Sequence, residues 1–207
     1  MSKNKLLIFP LGGNGLEALD CLGDYWELIG YIDDDSQKQG RHPLGFNVFS
    51  RDALLQFPDA QLLAVQGGPD NFRKRKQVIE DFDVPMERFA TVIHPSANLS
   101  KHVKIGYNCL LMAGVTLTFN AHIENHVCVL PNSVIHHDTH IGNYTLIGSN
   151  VVVAGHTSIG ENCYIGSRSS IINNITIGES TLVGMGSNVI DHVRANAKVA
   201  GNPAKYL

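Results

Sequence analysis

The pattern of apolar and polar positions divides the chain into two parts. From Ile93 to Arg194 the sequence keeps a six-residue period through seventeen hexads without an insertion. The first position of every hexad is Ile, Leu or Val, and the fifth is Ala, Val, Cys, Ser or Thr in every hexad but one, which has Ile175. This pattern predicts a short strand that turns every six residues, with both positions facing a narrow interior.

The fourth hexad position indicates how the chain turns. It is Asn, Asp, Gly or His in thirteen of the seventeen hexads, and these residues are enriched where the backbone φ angle is positive. Three flat sides joined by such corners close a triangular coil of eighteen residues, and successive coils stack ~4.8 Å apart, the spacing of β-strands. The sequence therefore predicts a parallel β-helix of five to six coils, in which residues eighteen apart lie over one another.

The first part of the chain, residues 1–90, alternates strand-like and helix-like segments. Such alternation is typical of an α/β domain with a small parallel sheet, here half of a Rossmann-type fold. The domain border is expected near Phe89 to His94, which gives domains 1–90 and 91–207. Strands are expected at Lys5–Pro10, Leu28–Asp33, Gln61–Gln66 and Ala90–Ile93, and helices at Leu16–Gly23, Arg51–Phe57 (with Ser50 as its N-cap) and Asn71–Phe82.

Composition excludes several classes of protein. The 207 residues carry a net charge of −3, and the notable basic cluster, Arg73–Lys76, falls within a predicted helix, so a nucleic-acid partner is disfavoured. The apolar run Leu6–Phe9 is too short for a signal sequence, and no apolar stretch reaches eighteen residues, so neither export nor a membrane span is expected. Four cysteines without a CxxC pair favour reduced thiols and a cytoplasmic location.

Two short motifs of the first domain are typical of a nucleotide site. Gly12–Gly15 follows the first strand, where backbone N–H groups can bind phosphate, and Asp33–Asp35 follows the second, where a carboxylate can accept hydrogen bonds from a ribose or base. Because the glycines do not form GxGxxG, a single nucleotide is favoured over NAD. The alternative is that the glycines form only a tight turn and the aspartates are solvated.

The candidate catalytic residue is His137, in the dense run His136–His140. The eighteen-residue stacking places His137 over Phe119 and under Gly155. A glycine directly above a histidine leaves open space beside a backbone N–H, which suits a reacting carbonyl next to a general base. The alternative is an ordinary surface histidine.

The next residue, Asp138, stacks between Asn120 and His156. Its carboxylate could hold the imidazole in one tautomer and raise its basicity. The alternative is a corner residue with no chemical role, like the Asn at most equivalent positions.

Four histidines, namely His122, His126, His137 and His140, also raise the alternative of a zinc site between β-helix subunits. They occupy hexad positions six, four, three and six, respectively, and no three of them share a column. A single chain is therefore not expected to gather His122, His126, His137 and His140.

The triangular coil also predicts a homotrimer with active sites at the subunit interfaces. A groove beside one corner is too shallow to enclose a long cofactor arm, and a neighbouring chain would supply the missing wall. Three-fold closure suits triangular prisms. It would also cover apolar residues that the interior pattern leaves outside, namely Leu110, Phe119, Leu130 and Leu146.

These motifs together resemble the sialic-acid O-acetyltransferase-like family of hexapeptide-repeat acyltransferases, which includes N-acetyltransferases of nucleotide-linked 4-amino-4,6-dideoxy sugars. The resemblance covers essentially the whole chain and implies a left-handed β-helix, acetyl-CoA as acyl donor, a nucleotide-activated amino sugar as acceptor and no metal. It is carried by the hexapeptide repeat, Gly12–Gly15, Asp33-Asp34, Ile93–Ala97, His137-Asp138 before Ile141-Gly142, and Gly201–Lys205.

The resemblance also implies a role for individual residues. His137 matches the general base, and Asp138 matches the residue that increases its basicity. The Gly155 backbone matches the position that meets the acyl-CoA thioester, and Ser167 and Met185 match further acyl-CoA contacts. The positions that match the nucleotide-sugar site are Gly13, Asn14, Gly15, Asp33, Asp34 and Gly67.

Three departures from the family pattern concern the acceptor side. The family often has a histidine at the position of Asn14, an acidic or small residue at that of His136, and an asparagine at that of Leu130. O-acetylation of a sialic acid or another sugar is therefore the first alternative to N-acetylation. A non-catalytic β-helix scaffold is the second alternative.

Overall fold

The computed structural model describes residues 3–207. Its first part is a five-stranded sheet in the order β3-β4-β2-β1-β5, in which all pairs are parallel except β3 with β4. The strands are β1 Asn4–Phe9, β2 Trp26–Ile32, β3 Gly40–Arg41, β4 Asn47–Phe49 and β5 Gln61–Ala64. The helices are α1 Gly13–Glu17, α2 Ala53–Gln56 and α3 Arg75–Glu80, with 3₁₀ turns at Ala18–Cys21, Ser36–Lys38, Phe72–Lys74 and Met86–Arg88.

The first three predicted strands are confirmed, but the α/β part differs from the prediction in other respects. Strands β3 and β4 escape the pattern because they are only two and three residues long and largely exposed. Ser50 is not the N-cap of α2. Asp52 occupies that position, and the Ser50 hydroxyl accepts the Asp52 N–H (3.3 Å) in the preceding turn.

The strand predicted at Ala90–Ile93 is also different in the structure. Only Val92–Ile93 is a strand, and it pairs with Leu110–Leu111 in the second part of the chain rather than joining the first sheet. Its backbone hydrogen bonds follow the pattern of the hexads, because the Val92 N–H donates to the Cys109 carbonyl of the next coil, as Leu110 does to Val127. This segment is therefore the first strand of the β-helix.

The second part is the predicted parallel β-helix, with a two-residue strand in each hexad and register partners eighteen residues apart. Face 1 contains β6 Val92–Ile93, β9 Leu110–Leu111, β12 Cys128–Val129, β15 Leu146–Ile147, β18 Tyr164–Ile165, β21 Leu182–Val183, β23 Lys198–Gly201 and β24 Ala204–Tyr206. Face 2 contains β7 Asn98–Leu99, β10 Thr116–Leu117, β13 Val134–Ile135, β16 Val152–Val153, β19 Ser170–Ile171 and β22 Asn188–Val189. Face 3 contains β8 Lys104–Ile105, β11 His122–Ile123, β14 His140–Ile141, β17 Ser158–Ile159 and β20 Thr176–Ile177.

The corners form where the sequence predicts them. The fourth hexad residue has a positive φ angle in every hexad from Asn108 to Gly186, including Tyr144 and Arg168, whose types rarely adopt it. The chain thus has three rows of corners, named here edge 1–2, edge 2–3 and edge 3–1 after the faces they join. The shared geometry follows from the tight turn, which leaves no other backbone region open to this position.

The interior explains the small residues of the fifth position. The aliphatic first-position side chains fill the prism, and buried hydroxyl groups next to them donate to backbone carbonyls of the following coil, as Ser133 does to Gly148 (2.7 Å) and Thr145 does to Gly160 (2.9 Å). A buried polar group is tolerated only when it has such a partner. Serine and threonine therefore fit where a larger polar residue would not.

The α/β part packs on face 1 of the β-helix. Leu110 and Leu146 are buried against its strands and helices in one apolar cluster with Leu6 and Phe72. The prediction that a neighbouring subunit covers these outward residues is wrong for Leu110 and Leu146, because the chain covers them itself; Leu130 is partly buried there too, while Phe119 is 55% exposed.

Among residues 3–207, no helix combines the length and the apolar composition that crossing a membrane requires.

Candidate functional site

The candidate catalytic group lies on edge 2–3, the edge opposite face 1. The strand of face 2 ends at Ile135 and that of face 3 begins at His140, so residues between them form the corner. About half of the His137 side chain is exposed there. The α/β part covers face 1, on the opposite side of the prism, so edge 2–3 stays open to solvent and to other molecules.

The two residues of the predicted pair contact each other. His137 Nδ1 lies 2.9 Å from Asp138 Oδ2, and Asn120 donates to the other carboxylate oxygen at 2.7 Å. Since an ionised carboxylate can only accept, this contact favours the tautomer of the neutral imidazole with its proton on Nδ1 and its lone pair on Nε2. The Asn120 hydrogen bond, followed by that of His137, lowers the pKa of Asp138, so the carboxylate stays charged at neutral pH.

The free nitrogen of His137 faces Gly155 in the coil above. A Cβ atom at residue 155 would lie 2.6 Å from both Nε2 and Cε1 of His137, so only glycine fits without moving the ring. Among residues 3–207 the Gly155 N–H donates to no backbone carbonyl. Gly155 is buried, and its backbone lies directly over the His137 ring. A base beside a backbone N–H is the arrangement that addition to a carbonyl requires, which makes this pair the candidate catalytic centre.

Ser167 and Met185 lie elsewhere in the same chain. Both follow strands of face 1 and therefore belong to edge 1–2. The Ser167 hydroxyl accepts the Ser149 N–H (3.1 Å), and Met185 is 73% exposed. One chain thus brings Gly155 together with His137, but places Ser167 and Met185 on another edge.

Four of the six residues predicted for the nucleotide site line a cavity of about 350 Å³ at the end of the first sheet, and Asp33 and Asp34 do not. Gly13, Asn14, Gly15 and Gly67 line it, and the Asn14 amide donates to Val65 O (3.1 Å) and Gly67 O (3.4 Å), which joins the two loops. A side chain at residue 13 would meet open space, whereas Gly67 adopts φ +128°, a conformation that requires glycine.

A second cavity, of about 210 Å³, adjoins the first above face 1. Asn14 and Gly67 line both cavities, and Leu130, Leu146 and Tyr164 add a largely apolar wall from the β-helix. The space between the two parts of the chain can thus hold a polar group at the glycine loops and an apolar group against the helix.

The two aspartates are engaged in internal contacts. Asp33 is 4% exposed and accepts hydrogen bonds from Leu11 N (3.1 Å), Asp35 N (3.0 Å) and Lys38 Nζ (3.0 Å). Asp34 receives two hydrogen bonds of 2.8 Å from Arg51. Asp33 therefore orders the loops beside the cavity instead of presenting a free carboxylate.

Sequence reasoning missed a basic cavity on the other side of Leu11. It has a volume of about 370 Å³ and is lined by Lys38, Arg41 and His42. The available signal is the group of basic residues that follows Asp33–Asp35 after the second strand. The neighbouring aspartates balance their charge in the sequence and so conceal it.

The four histidines considered for zinc are separated in the structure. His126 is buried on edge 3–1 and His137 lies on edge 2–3, whereas His122 and His140 are neighbours on face 3. The four therefore do not form one site within a chain.

Comparisons with known proteins agree with this architecture. The family model "Bacterial transferase hexapeptide (six repeats)" matches residues 120–155 and 156–191. The acetyltransferase domain of PglB from Neisseria gonorrhoeae, solved in complex with acetyl coenzyme A, shares 26% identity over 100% of both chains with a TM-score of 0.86. PerB from Caulobacter crescentus, solved in complex with CoA and GDP-perosamine, shares 25% identity over 100% of this chain and 98% of its own, with a TM-score of 0.82.

WeeI from Acinetobacter baumannii, at 23% identity and a TM-score of 0.81, shares the fold over 100% of both chains. No curated protein sequence matches this chain significantly. The resemblance and the fold class predicted from the sequence are confirmed: this chain carries bacterial transferase hexapeptide repeats and is similar over its whole length to acetyltransferases built on them.

Proposed function

We propose that this protein is an acetyl-CoA-dependent N-acetyltransferase that acts on the amino group of a nucleotide-linked 4-amino-4,6-dideoxy sugar. The comparisons bear out the enzyme class and the acyl donor, because similar chains are acetyltransferases bound to acetyl coenzyme A or CoA. The observation that carries the proposal is the contact of His137 with Asp138 beneath the Gly155 backbone.

In the proposed reaction the sugar amine attacks the thioester carbonyl carbon of acetyl-CoA. His137 Nε2 takes a proton from the nitrogen as the C–N bond forms, and the Gly155 N–H donates to the oxyanion. Collapse of the tetrahedral adduct breaks the C–S bond, and the imidazolium returns its proton to the departing thiolate. Asp138 stabilises the imidazolium formed between these two steps.

The glycine-lined cavity is the proposed site of the nucleotide sugar. Gly13, Asn14 and Gly67 leave backbone and amide groups accessible to phosphate and sugar oxygens. The apolar wall of Leu130, Leu146 and Tyr164 suits a deoxygenated sugar carbon better than a hydroxyl group. Lys38 and Arg41 add positive charge nearby for the phosphates.

The position of this cavity supports a homotrimer with shared active sites. The cavity lies between the α/β part and face 1, whereas His137 lies on edge 2–3 across the prism. We therefore infer that a sugar held in the cavity of one chain meets His137 of a second chain. Exposed apolar side chains on edges 1–2 and 2–3, namely Phe119, Ile172, Met185 and Ile190, suit such an interface.

The activity is tested by release of free CoA thiol from acetyl-CoA in the presence of nucleotide-linked 4-amino sugars. We expect turnover with the amine and none with the corresponding 4-hydroxy sugar. An acetylated product that hydroxylamine cleaves would instead identify an ester and O-acetylation. Absence of thiol release with all nucleotide and free sugars would favour the scaffold alternative.

The shared site is tested by mixing two inactive variants. Gly13→Val fills the nucleotide cavity, because its side chain points into open space, and His137→Ala removes the base. Calorimetry of the Gly13→Val variant should show weakened nucleotide-sugar binding and unchanged acetyl-CoA binding.

In oligomers that contain both variants, about a quarter of the shared sites combine an intact cavity with an intact base, so activity should return. No recovery in demonstrably mixed oligomers, or an active monomer of 22.6 kDa in light scattering, would contradict the shared site.

A further inference from the structure

A cluster of three potential metal ligands lies on face 3, away from edge 2–3. His122 and His140 are register partners on adjacent coils, and Glu124 follows His122 by two residues. One β-strand spacing therefore separates the two imidazoles, and the rigid ladder of the β-helix holds both of them. The acyl-transfer chemistry proposed above uses none of the three.

The donor atoms of the cluster converge on one point. Glu124 Oε1 lies 3.0 Å from His140 Nε2 and 3.6 Å from His122 Nε2, and the three donor atoms lie within 4.8 Å of one another. Zinc bonds of ~2.0–2.2 Å in tetrahedral geometry separate the ligand atoms by roughly 3.3–3.5 Å. The two Glu124 distances bracket that value, and the two imidazole nitrogens lie within 4.8 Å of each other, so side-chain rotations could bring all three donors to one cation.

The orientation and surroundings of the cluster also suit a cation. The two imidazole rings are nearly perpendicular (89°), and both direct Nε2 toward the same carboxylate. All three side chains are partly exposed, which leaves a fourth coordination position for water. The residues next to the pair in the column are Lys104 and Ser158; Lys104 is exposed, so its ammonium group can extend into solvent.

We propose that His122, Glu124 and His140 bind a divalent transition-metal ion of the Zn²⁺ type. Two imidazoles and one carboxylate form a donor set that zinc prefers, whereas Mg²⁺ and Ca²⁺ require oxygen ligands. The bound ion links two adjacent coils of one chain, so it stabilises the β-helix without taking part in acyl transfer.

The second cluster of this kind, His137, Asp138 and His156, is the obvious competitor for the ion. Both of its carboxylate oxygens are engaged, Oδ1 by Asn120 and Oδ2 by His137, whereas Glu124 uses only Oε1, in a hydrogen bond with His140 that a metal ion would replace. His156 Nδ1 lies 3.8 Å from Asp138 Oδ2. A metal there would displace the His137 proton and block the base. This cluster provides the matched control for the experiment.

The experiment is a Co²⁺ titration of the metal-free, full-length protein, read by visible absorption and repeated by calorimetry with Zn²⁺. We expect one equivalent per chain with the intense bands of four-coordinate cobalt. His140→Gln should weaken binding at least tenfold, whereas His156→Gln should leave it unchanged. Zn²⁺ should also raise the Tm of the wild type and of His156→Gln, but not that of His140→Gln.

Three outcomes would overturn the proposal: no binding at 100 micromolar ion (roughly the weak end of useful affinity), unchanged binding by His140→Gln, or loss of binding in His156→Gln alone. Because His122 and His140 are partly exposed on the outer side of the strands, their variants should fold, and circular dichroism checks this. The outcome is independent of the acetyltransferase proposal, which is assayed by thiol release in the presence of a chelator.

Discussion

Edges 2–3 and 3–1 of the β-helix share one backbone geometry and differ in what covers them. On edge 3–1 the fourth-position residues Asn108 and His126 have φ angles of 54° and 62°, and on edge 2–3 Asp138 and His156 both have 56°. His126 is nevertheless 2% exposed, whereas Asp138 and His156 are accessible to solvent. The repeat thus supplies equivalent corners, and the neighbouring elements determine the role of each corner.

Edge 3–1 is covered by the α/β part, and its polar groups are structural. The Asn108 side chain accepts from Ala64 N (2.7 Å) and donates to Ala64 O (3.0 Å), as a strand partner would. The His126 ring stacks on Tyr144 with centroids 4.6 Å apart and an angle of 6°. Buried in this way, the corner residues attach one part of the chain to the other.

Edge 2–3 has no such cover, so its polar groups remain available for chemistry. The His137 ring is fixed on one side by Asp138 and open on the other. A histidine in a hexapeptide repeat is therefore a candidate base only where no other element packs on its corner. Variants at the exposed and the covered corners test this difference directly.

The largest effect is expected at the exposed corner. His137→Ala should lower turnover by about 10²–10⁴-fold, because it removes the proposed general base. The unfolding midpoint should stay near that of the wild type, since the side chain is half exposed. Activity within a few-fold of the wild type, measured by thiol release, would contradict the assignment.

The second effect is expected beneath the covered edge. The fully buried Arg75 guanidinium donates to the carbonyl groups of Gln66 and His126, and burial lowers its pKa to about 10, so it remains charged at neutral pH. Arg75→Met should reduce the free energy of unfolding by about 3 kcal/mol, because two buried acceptors lose their donor.

The control for Arg75 is its exposed neighbour in sequence, Lys74, whose side chain makes no hydrogen bond or ion pair within residues 3–207. Lys74→Met should change stability by less than about 0.5 kcal/mol, as is usual for surface substitutions. Equal urea midpoints for the two variants would show that the buried guanidinium does not join the two parts of the chain.

The third prediction concerns pH. Burial lowers the pKa of His126 to about 4, below the value of 6.5 for an exposed histidine. The neutral ring is favoured in the folded state, so its contribution to stability is present above pH 6.5 and declines as the pH falls toward 4. At pH 5 the loss relative to pH 8 should be about 2 kcal/mol.

The pH effect is measured by urea unfolding of the wild type and of His126→Asn at both pH values. Asn tolerates the left-handed backbone of this corner. The free energy of unfolding of the variant should differ less between the two pH values, because the variant lacks the titrating imidazole. The acidic residues common to both proteins contribute equally and cancel in the comparison. An identical pH dependence would show that His126 does not titrate on unfolding.

The smallest effect is expected for Asp138→Asn, about tenfold in turnover, because the variant keeps a corner residue and loses only the charge that supports the imidazolium. Thiol release and calorimetry with acetyl-CoA should show a loss in kcat with little change in acetyl-CoA binding. A loss larger than that of His137→Ala would mean that the roles of the two residues are exchanged.

The β-helix is predictable because its pattern repeats. Each hexad tests the same arrangement of interior, corner and strand, so an exceptional residue such as Tyr144 or Ile175 does not obscure it. The same stacking rule correctly places His137 beneath Gly155. In the α/β part each element occurs once, and the short strands Gly40–Arg41 and Asn47–Phe49 leave no detectable pattern.

The candidate nucleotide site is only partly predictable. Its glycines line the cavity because their backbone geometry is local. Asp33 and Asp34 are expected from the sequence to face the ligand, yet Lys38 and Arg51 bind them. A sequence identifies a carboxylate but does not show which cation folds back onto it.

The amino-acid sequence alone specifies the coil, the stacking of residues eighteen apart and the pairing of His137 with Gly155, because these depend on short-range turns and a constant strand spacing. Which face the α/β part covers is visible only in the folded chain, and with it the burial of Leu146 and His126 and the exposure of Phe119. The three faces repeat the same pattern, so the choice among them depends on contacts between distant segments. Those contacts also separate the candidate nucleotide cavity from the edge that carries the candidate base.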